Sequence, residues 1–497
     1  MEITPELPHF HQTKIREFIR SSTFAPFALS FIFIAILAIF YWVMLPVGTI
    51  QHPDEYLTLD RTHSFVIRDD FLTVYSSNRP TFKKPPLQYW ISAYLIRQGA
   101  DLELALRFPS FLFGILTLIN VGILAYLLYP TNPWVAPAAI ALLAGSFSFW
   151  SSNMSALLDS GAMLFSTMAI TSCLLAFSRP RWWYLVALSA GLAAIQKAPV
   201  PLLLAAGMVL FAFASKKYHQ IDFRAAFLNR HFWIAAGLML AAVLFWPALQ
   251  WIRFGPESFQ EAYVNQMVER FSPFSQLSEA RRSWHTVLLS SEALLRIPAI
   301  LALLVLPWVL RRMDLLPLPF LLVAFAIATV FSSGYVSPRY SLIFLPLLMA
   351  ALAVVLIKVL PGRALPLLVI AALALSTGGP ARSAKALGLL RSNHEKYVQL
   401  LQSVAKSLRE NETLIVCRAA PGGSRIPAGA ISYFASKGRP YEEYRSPETF
   451  GALMRNGSVT PPYRGVCHAK TFEELKPLLN GYQIVEESNG YVHWIAH

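Results

Sequence analysis

Long apolar stretches separated by short charged connections set the pattern of this chain. About 18 or more apolar residues suffice to cross a hydrocarbon core of ~30 Å, and such stretches recur between residues 24 and 378. The pattern predicts spans near 24–47, 108–129, 134–152, 161–177, 182–196, 199–214, 232–252, 290–310, 315–333, 340–359 and 364–378. One apolar stretch, Leu87–Arg97 (LQYWISAYLIR), is too short to span. It reads as a helix lying in the outer interface, with Tyr89, Trp90 and Tyr94 as interfacial aromatics.

Past Thr377 the pattern changes. Residues 379–497 mix charges of both signs and alternate helix-like with strand-like segments. Asn393–Leu408 is amphipathic, and Thr413–Arg418, Ala430–Ala435, Tyr482–Glu486 and Tyr491–Ile495 read as strands. Ser446-Pro447 and the capping box Thr471-Phe472-Glu473-Glu474 read as helix starts. The expected architecture is a polytopic α-helical membrane protein of about 11–13 transmembrane helices, followed by a C-terminal soluble α/β domain. Its parts are an N-terminal segment 1–23, a membrane domain 24–378 with longer connections at 48–107 and 253–289, and the α/β domain 379–497.

Composition agrees: 55% of residues are hydrophobic and 14% charged, against about 25% charged in soluble domains. The net charge of +14 does not point to nucleic acid, because the cations sit where a membrane protein needs topological anchors. With a cytoplasmic N-terminus, the inner connections carry Arg179 and Arg181, then Lys216, Lys217, Arg224 and Arg230, then Arg311 and Arg312, then Lys358 and Arg363. The short outer connections carry Lys197 and Arg339. This is the positive-inside bias, and it turns residues 48–107, 253–289 and 379–497 outward. Counting Leu87–Arg97 as a span would invert it. The basic segment 1–23 precedes an apolar run too long for a signal-peptide core, so that run reads as a retained first span. Cys417 and Cys467, both in the outward domain, either pair in an oxidising compartment or stay as two free core cysteines.

The candidate chemistry lies on the outer side. His52-Pro53-Asp54-Glu55-Tyr56 follows the first span. Asp54 and Glu55 are either a solvated acid pair or a general base with an orienting partner, since adjacent carboxylates raise each other's pKa. Asp159, in Ala156-Leu157-Leu158-Asp159-Ser160, is an acid embedded in an apolar run. It is a functional candidate that also suits a helix N-cap. Lys83 and Lys84 precede Pro85-Pro86, which hold the backbone before them extended. An ammonium suits a phosphate, although snorkelling to headgroups accounts for one lysine of the pair. Lys197, Arg270, Arg339 and the adjacent Tyr340 fall on the same side. Each cation alone reads as an interface anchor; together they form a pocket for a phosphate or pyrophosphate. The histidines show no metal-ligand spacing, and no Walker loop, dinucleotide fingerprint or zinc motif is present. No metal or cofactor is assigned.

These motifs, in this order, resemble the GT-C class of membrane-embedded lipid-phosphosugar glycosyltransferases, most closely the aminoarabinose (lipid A) transferases and protein O-mannosyltransferases. The resemblance rests on Asp54-Glu55, Phe82-x-Lys84-Pro85-Pro86, Ala105-x-Arg107-x-Pro109, Leu158-Asp159-Ser160, Lys197-x-Pro199 and Pro338-Arg339-Tyr340, and covers roughly residues 24–360. It implies a multi-pass protein of the bacterial inner membrane with a periplasmic active site, a polyprenyl-phosphate sugar donor and a lipid, glycan or protein acceptor. It also implies Asp54 as catalytic base, Glu55 beside it, Asp159 as a second acid, and Lys84 and Arg270 as holders of the donor phosphate. Two positions depart from the aminoarabinose pattern: Lys83 stands where an acid is usual, and Ala198 where glycine is usual. The pocket is correspondingly more cationic, which points to another sugar or acceptor. A polyprenyl-lipid flippase or other multi-span transporter is the alternative, but it predicts internal repeats and mid-membrane broken helices, which this sequence does not display.

Overall fold

The computed structural model describes residues 24–47, 53–68, 70–76, 79–197, 207, 227–265, 293–330, 338–360, 369, 404, 408–409, 412–417, 441–444, 450–451, 454–455, 462–479, 481–488 and 491–496. Helix α1 (Phe24–Met44) turns Leu37 and Tyr41 inward and leaves Phe31, Ile39 and Val43 exposed, as a lipid-facing span requires. Two outer helices follow, α2 (Pro53–Ile67) and α3 (Leu87–Arg97). The membrane bundle continues with α4 (Leu102–Leu128), α5 (Val135–Ala144), α6 (Phe147–Asn153), α7 (Asp159–Ser178), α8 (Trp183–Gln196) and α9 (Arg230–Phe254). Then come α10 (Ala293–Leu310), α11 (Pro317–Val330) and, after the 3-10 turn Pro338–Phe344, α12 (Leu345–Val359). Among the described residues five helices are long and apolar enough to cross a membrane, six if α5 and α6 count as one span. The expected spans 199–214 and 364–378 lie outside the described residues, apart from single positions.

Two spans differ from expectation. Helix α4 begins at Leu102 rather than near residue 108, which brings Arg107 into the helix. Pro109 lies inside the helix, where it forgoes the bond an N–H would make to the Ala105 carbonyl. The expected span 134–152 is two helices bent by 72°. The break falls at Gly145-Ser146, where Ser146 accepts a hydrogen bond from Phe149 N at 3.2 Å and so starts a new helix.

The core runs between α4, α5, α10 and α12 and includes Leu118, Val121, Leu143, Leu303, Leu347 and Val354. Ala350, Ala351 and Ala353 let α12 approach its neighbours closely. Tyr41 stacks on Trp150 with ring centroids 3.7 Å apart. The two ends of α4 differ in kind. At its C-terminal end the Leu128 carbonyl accepts from Arg312, and Lys358 lies over the Tyr129 ring. These are the cations expected inside. The opposite end holds the candidate chemistry.

Helix α3 has its expected bounds, but its aromatics are not all interfacial. Tyr89 is fully buried, because its ring faces α2 and its hydroxyl accepts from Arg61 Nη1 at 3.0 Å. Tyr94 is the exposed one. The segment between α2 and α3 is folded back by the two-residue ribbon β1 (Tyr75–Ser76) and β2 (Arg79–Pro80). It is tied to α9 by Arg253 Nη1, 2.8 Å from Asp70 Oδ1 and 2.7 Å from Thr73 Oγ1, and by Gln250 donating to the Leu72 carbonyl at 2.8 Å.

The C-terminal region forms a five-stranded sheet of order β4-β3-β5-β7-β6. Its strands are β3 (Thr413–Cys417), β4 (Tyr441–Tyr444), β5 (Tyr463–His468), β6 (Gln483–Ser488) and β7 (Tyr491–Ala496). β3 pairs parallel with β4 and β5, whereas β7 pairs antiparallel with β5 and β6. Gly465 stands opposite Trp494, and a Cβ there would lie 2.1 Å from the indole, so glycine is what lets the ring cross the central strand. The helix Ala469–Leu475 starts before the expected capping box, so Thr471 is inside it and buried. Cys467 is disulfide-bonded and Cys173 is free and buried. The expected strand Ala430–Ala435, nearly all of the helix Asn393–Leu408 and the Ser446-Pro447 start lie outside the described residues.

A buried charge cluster crosses this sheet. Arg464 donates to both Glu412 oxygens, at 3.0 and 3.2 Å, and its Nη1 lies 3.1 Å from His493 Nε2. Burial, reinforced by the Arg464 charge, pushes the His493 imidazole down to about 4 from an ordinary 6.5. Burial works to raise the Glu412 carboxyl, but its bonds to Arg464 and to the Arg409 backbone outweigh that and hold it below its ordinary value. Between pH 6.5 and 4 the unfolded chain binds a proton at His493 that the folded sheet does not. The stability contributed by neutral His493 is therefore whole above pH 6.5 and lost as pH falls toward 4. Glu412 adds a further loss below the ordinary carboxylate range. Hydrogen exchange of β5 and β7, corrected for intrinsic rates, is expected to lose protection over that interval, and His493→Gln to flatten the trend. Protection independent of pH would contradict this.

Candidate active site

Helix α2 opens on Pro53, with Asp54 and Glu55 in its first turn. Proline suits a first helical position, and carboxylates suit the free N–H groups and positive dipole end there. Successive helical side chains point ~100° apart, so the two acids diverge. Glu55 turns inward and is buried: its Oε1 accepts from Arg107 Nε at 3.4 Å and from the Ala156 backbone N–H at 3.0 Å. Arg107 is fully buried and also donates to the Leu45 and Val47 carbonyls, at 2.8 and 3.3 Å. Asp54 keeps 42% of its side chain exposed and meets Arg339 Nη2 at 2.5 Å. Glu55 is drawn off by Arg107, and Asp54 alone stays accessible.

Asp159 is the first residue of α7, not its cap; the N-cap position is Leu158. Its buried carboxylate forms an ion pair with Lys197 Nζ. Helix α8 ends at Gln196, so Lys197 leaves it in an extended conformation from which the ammonium reaches back to Asp159. The charges of Lys197, Arg339 and Lys84 all act on Asp159. Lys84 is half-buried, with Pro85 and Pro86 buried behind it, whereas Lys83 is exposed. Tyr340 follows Arg339 in the 3-10 turn. Arg270 lies outside the described residues. The chain thus brings Asp54, Asp159, Lys84, Lys197 and Arg339 to one end of the bundle, as two ion pairs linked through Arg339 with a further lysine beside them. Such a site offers an accessible carboxylate next to concentrated positive charge. Among the described residues no three His, Cys, Asp or Glu side chains gather into a metal-binding group.

A family model described as dolichyl-phosphate-mannose-protein mannosyltransferase matches residues 83–251, a stretch that contains Lys83, Lys84, Asp159 and Lys197. The fold matches the crystal structure of ArnT from Cupriavidus metallidurans bound to undecaprenyl phosphate. The TM-score is 0.71 at 15% identity, over 94% of this chain and 97% of that one. The apo structure of the same protein matches with a TM-score of 0.72 at 16% identity, over 95% and 98%. The chain thus shares the GT-C membrane fold of these structures. The Archaeoglobus fulgidus oligosaccharyltransferase, in complex with Zn and sulfate, shares the fold more loosely. Its TM-score is 0.51 at 13% identity, over 88% of this chain and 68% of that one. An uncharacterised protein of Aquifex aeolicus is 25% identical over 240 residues, which is 47% of this chain and 45% of that protein's length.

Four residues of the candidate site are not singled out by the sequence. Arg107 was visible as a motif member without a role. Arg61 and Tyr89 meet beneath the site, and the Arg61 charge feels both Asp54 and Asp60; Arg61 lies two turns along α2 from Asp54, a spacing that puts both on one face. Gln196 is fully buried beside Lys197, and an amide at a span end carries no signal of its own. The divergence of the two acids has a thermodynamic consequence. Removing one partner of a buried ion pair costs ~3–5 kcal/mol, whereas exposed pairs contribute ~0–1 kcal/mol. Arg107→Ala is expected to lower stability by about 3 kcal/mol or more, and Asp54→Asn by less than about 1 kcal/mol. Unfolding in detergent measures both, and equal losses would contradict the assignment.

Proposed function

We propose that the protein transfers a sugar from a polyprenyl-phosphate-linked donor to a lipid, glycan or protein acceptor, with Asp54 as general base. The observation that carries the reading is the half-exposed Asp54 carboxylate held by Arg339 beside the Asp159–Lys197 pair and Lys84. The undecaprenyl phosphate bound to ArnT supports the class of donor. The acceptor O–H or N–H attacks the anomeric carbon while Asp54 takes its proton. The bond from that carbon to the phosphate oxygen breaks, and its electron pair leaves with the polyprenyl phosphate, which gains a negative charge. Lys84, Lys197 and Arg339 stabilise that developing charge where water is partly excluded. Attack opposite the leaving phosphate is a single displacement with inversion.

Arg339 has two calls on its charge. With the donor absent it pairs with Asp54. An arriving phosphate competes for the guanidinium and weakens its hold on Asp54 when there is something to deprotonate. Asp159 keeps Lys197 oriented, and Arg270 and Tyr340 are further candidates for the donor. We read the membrane domain as residues 24–378 and the α/β domain as 379–497, with the active site facing the periplasm of a bacterial inner membrane. The cations at the opposite end of the bundle support that orientation. So does the disulfide at Cys467, which suits an oxidising compartment.

Asp54→Asn is expected to cut transfer by about 10²–10⁴-fold with donor affinity and assembly retained; normal turnover would remove Asp54 from the role. Lys84→Ala is expected to raise the donor Kd, and an unchanged Kd would sink the phosphate assignment. Mass spectrometry of lipids and glycans from membranes with and without the protein names sugar and acceptor. An unchanged glycan profile with a polyprenyl lipid redistributed between leaflets would favour the flippase reading instead.

A further inference from the structure

Three of the gathered charges sit next to members of one buried, uncharged hydrogen-bond network. Gln196, in the last turn of α8, precedes Lys197. Its Nε2 donates to Gln88 Oε1 at 2.9 Å and to the Leu158 carbonyl at 3.1 Å. Gln88, in the first turn of α3, follows Lys84-Pro85-Pro86, and its Nε2 donates to Ser110 Oγ at 3.1 Å. Ser110, on α4, donates in turn to the Leu157 carbonyl at 3.0 Å. Leu157 and Leu158 lead directly into Asp159. Gln88, Ser110 and Gln196 are all fully buried.

The orientation of each amide is fixed by its partners. Turning Gln196 over would set its oxygen against two other acceptors, Gln88 Oε1 and the Leu158 carbonyl. Every bond therefore runs one way, from Gln196 through Gln88 and Ser110 to Leu157, and bonds in such a chain polarise one another. The packing is specific as well. A Cβ on Gly161 would lie 2.6 Å from the Gln196 amide carbon, so glycine in the first turn of α7 is what admits that amide between α7 and α8. Cores rarely hold uncharged polar groups where apolar ones would pack, unless they fix a geometry.

We propose that Gln196 and Gln88 are positioning residues that set the spacing of Lys197, Asp159 and Lys84, so that the cations meet the donor phosphate together. The kinetic consequence rests on the transfer reaction proposed above; the geometric one does not. Losing either amide lets the ends of α3 and α8 shift against the start of α7. Misplacement of about 1 Å can cost ~10²-fold in rate.

The test compares Gln196→Leu, Gln88→Leu, the double variant and Gly161→Ala, which keeps both amides but displaces Gln196. Two readouts are taken on folded, detergent-solubilised protein. The first is labelling of lysines by an amine-reactive ester, followed by mass spectrometry. Lys197 is expected to label several-fold faster in each variant as its hold on Asp159 loosens, with exposed Lys83 as an unchanged internal control. The second is kinetics with a polyprenyl-phosphate sugar. A fall in kcat of about 10²-fold is expected, and the double variant is expected to cost no more than either single one. Unchanged Lys197 labelling in folded variants would overturn the proposal. Faster labelling with unchanged kcat, in a parent that transfers sugar, would overturn the positioning role. Faster labelling in a parent that transfers nothing would instead discard the proposed reaction and keep the geometry. Should the leucine variants fail to fold, Gly161→Ala decides the matter on the same two readouts.

Discussion

The end of the bundle that carries the candidate site depends on one buried guanidinium. Arg107 is fully buried and binds the carbonyls that end α1, the carboxylate that begins α2 and, through Glu55, the backbone N–H of Ala156 before α7. A charge at that depth is costly unless it is neutralised and its donors are met. Glu55 supplies the neutralising charge, and the frayed carbonyls after α1 supply acceptors that a helix end leaves unsatisfied anyway. Three chain segments distant in sequence thereby converge on one side chain. Removing it would strand a carboxylate and two backbone carbonyls.

This arrangement leaves Asp54 accessible. Two adjacent carboxylates in solution would share protons and compete for the same cations. On a helix they are divided by geometry: Glu55 is spent on structure, and Asp54 is left at the surface, paired with Arg339. The same logic separates the cations. Lys197 is engaged by Asp159 inside the site, while Lys83 is exposed. What faces the open part of the site is thus a mobile balance of one acid and several cations, resting on a rigid buried pair.

Much of the fold was legible because bilayer-crossing helices advertise themselves by length and apolar content. Helices α1, α7, α9 and α12 follow the apolar runs closely, and α3 has the bounds its composition suggests. What escaped depends on tertiary partners. The bend at Gly145-Ser146 is a local choice between helix continuation and a serine cap, and an apolar average hides it. Helix α2 has few apolar residues, so periodicity did not reveal it, although Pro53 followed by two acids is a helix-start signal. Strand β5 was missed because its buried residues include Arg464 and Gly465, which break any alternation. The candidate site was legible as a list and not as a geometry: nothing in Asp54-Glu55 says which acid Arg107 will take.

The charged pairs and the amide network solve different problems, and their difference explains why both are present. Ion pairs hold strongly but fill the site with fixed charge, and each cation committed to a carboxylate is partly lost to a phosphate. Neutral amides locate helix ends without altering the field that an anionic leaving group will feel. Placing Gln196 and Gln88 behind Lys197 and Lys84, rather than more acids, keeps the pocket cationic while still fixing its walls. The same reasoning accounts for Gly161, whose missing side chain leaves room for the amide that a bulkier residue would push out of register. Charge in front and neutral polarity behind it is the division that would serve the departing phosphate of the proposed transfer.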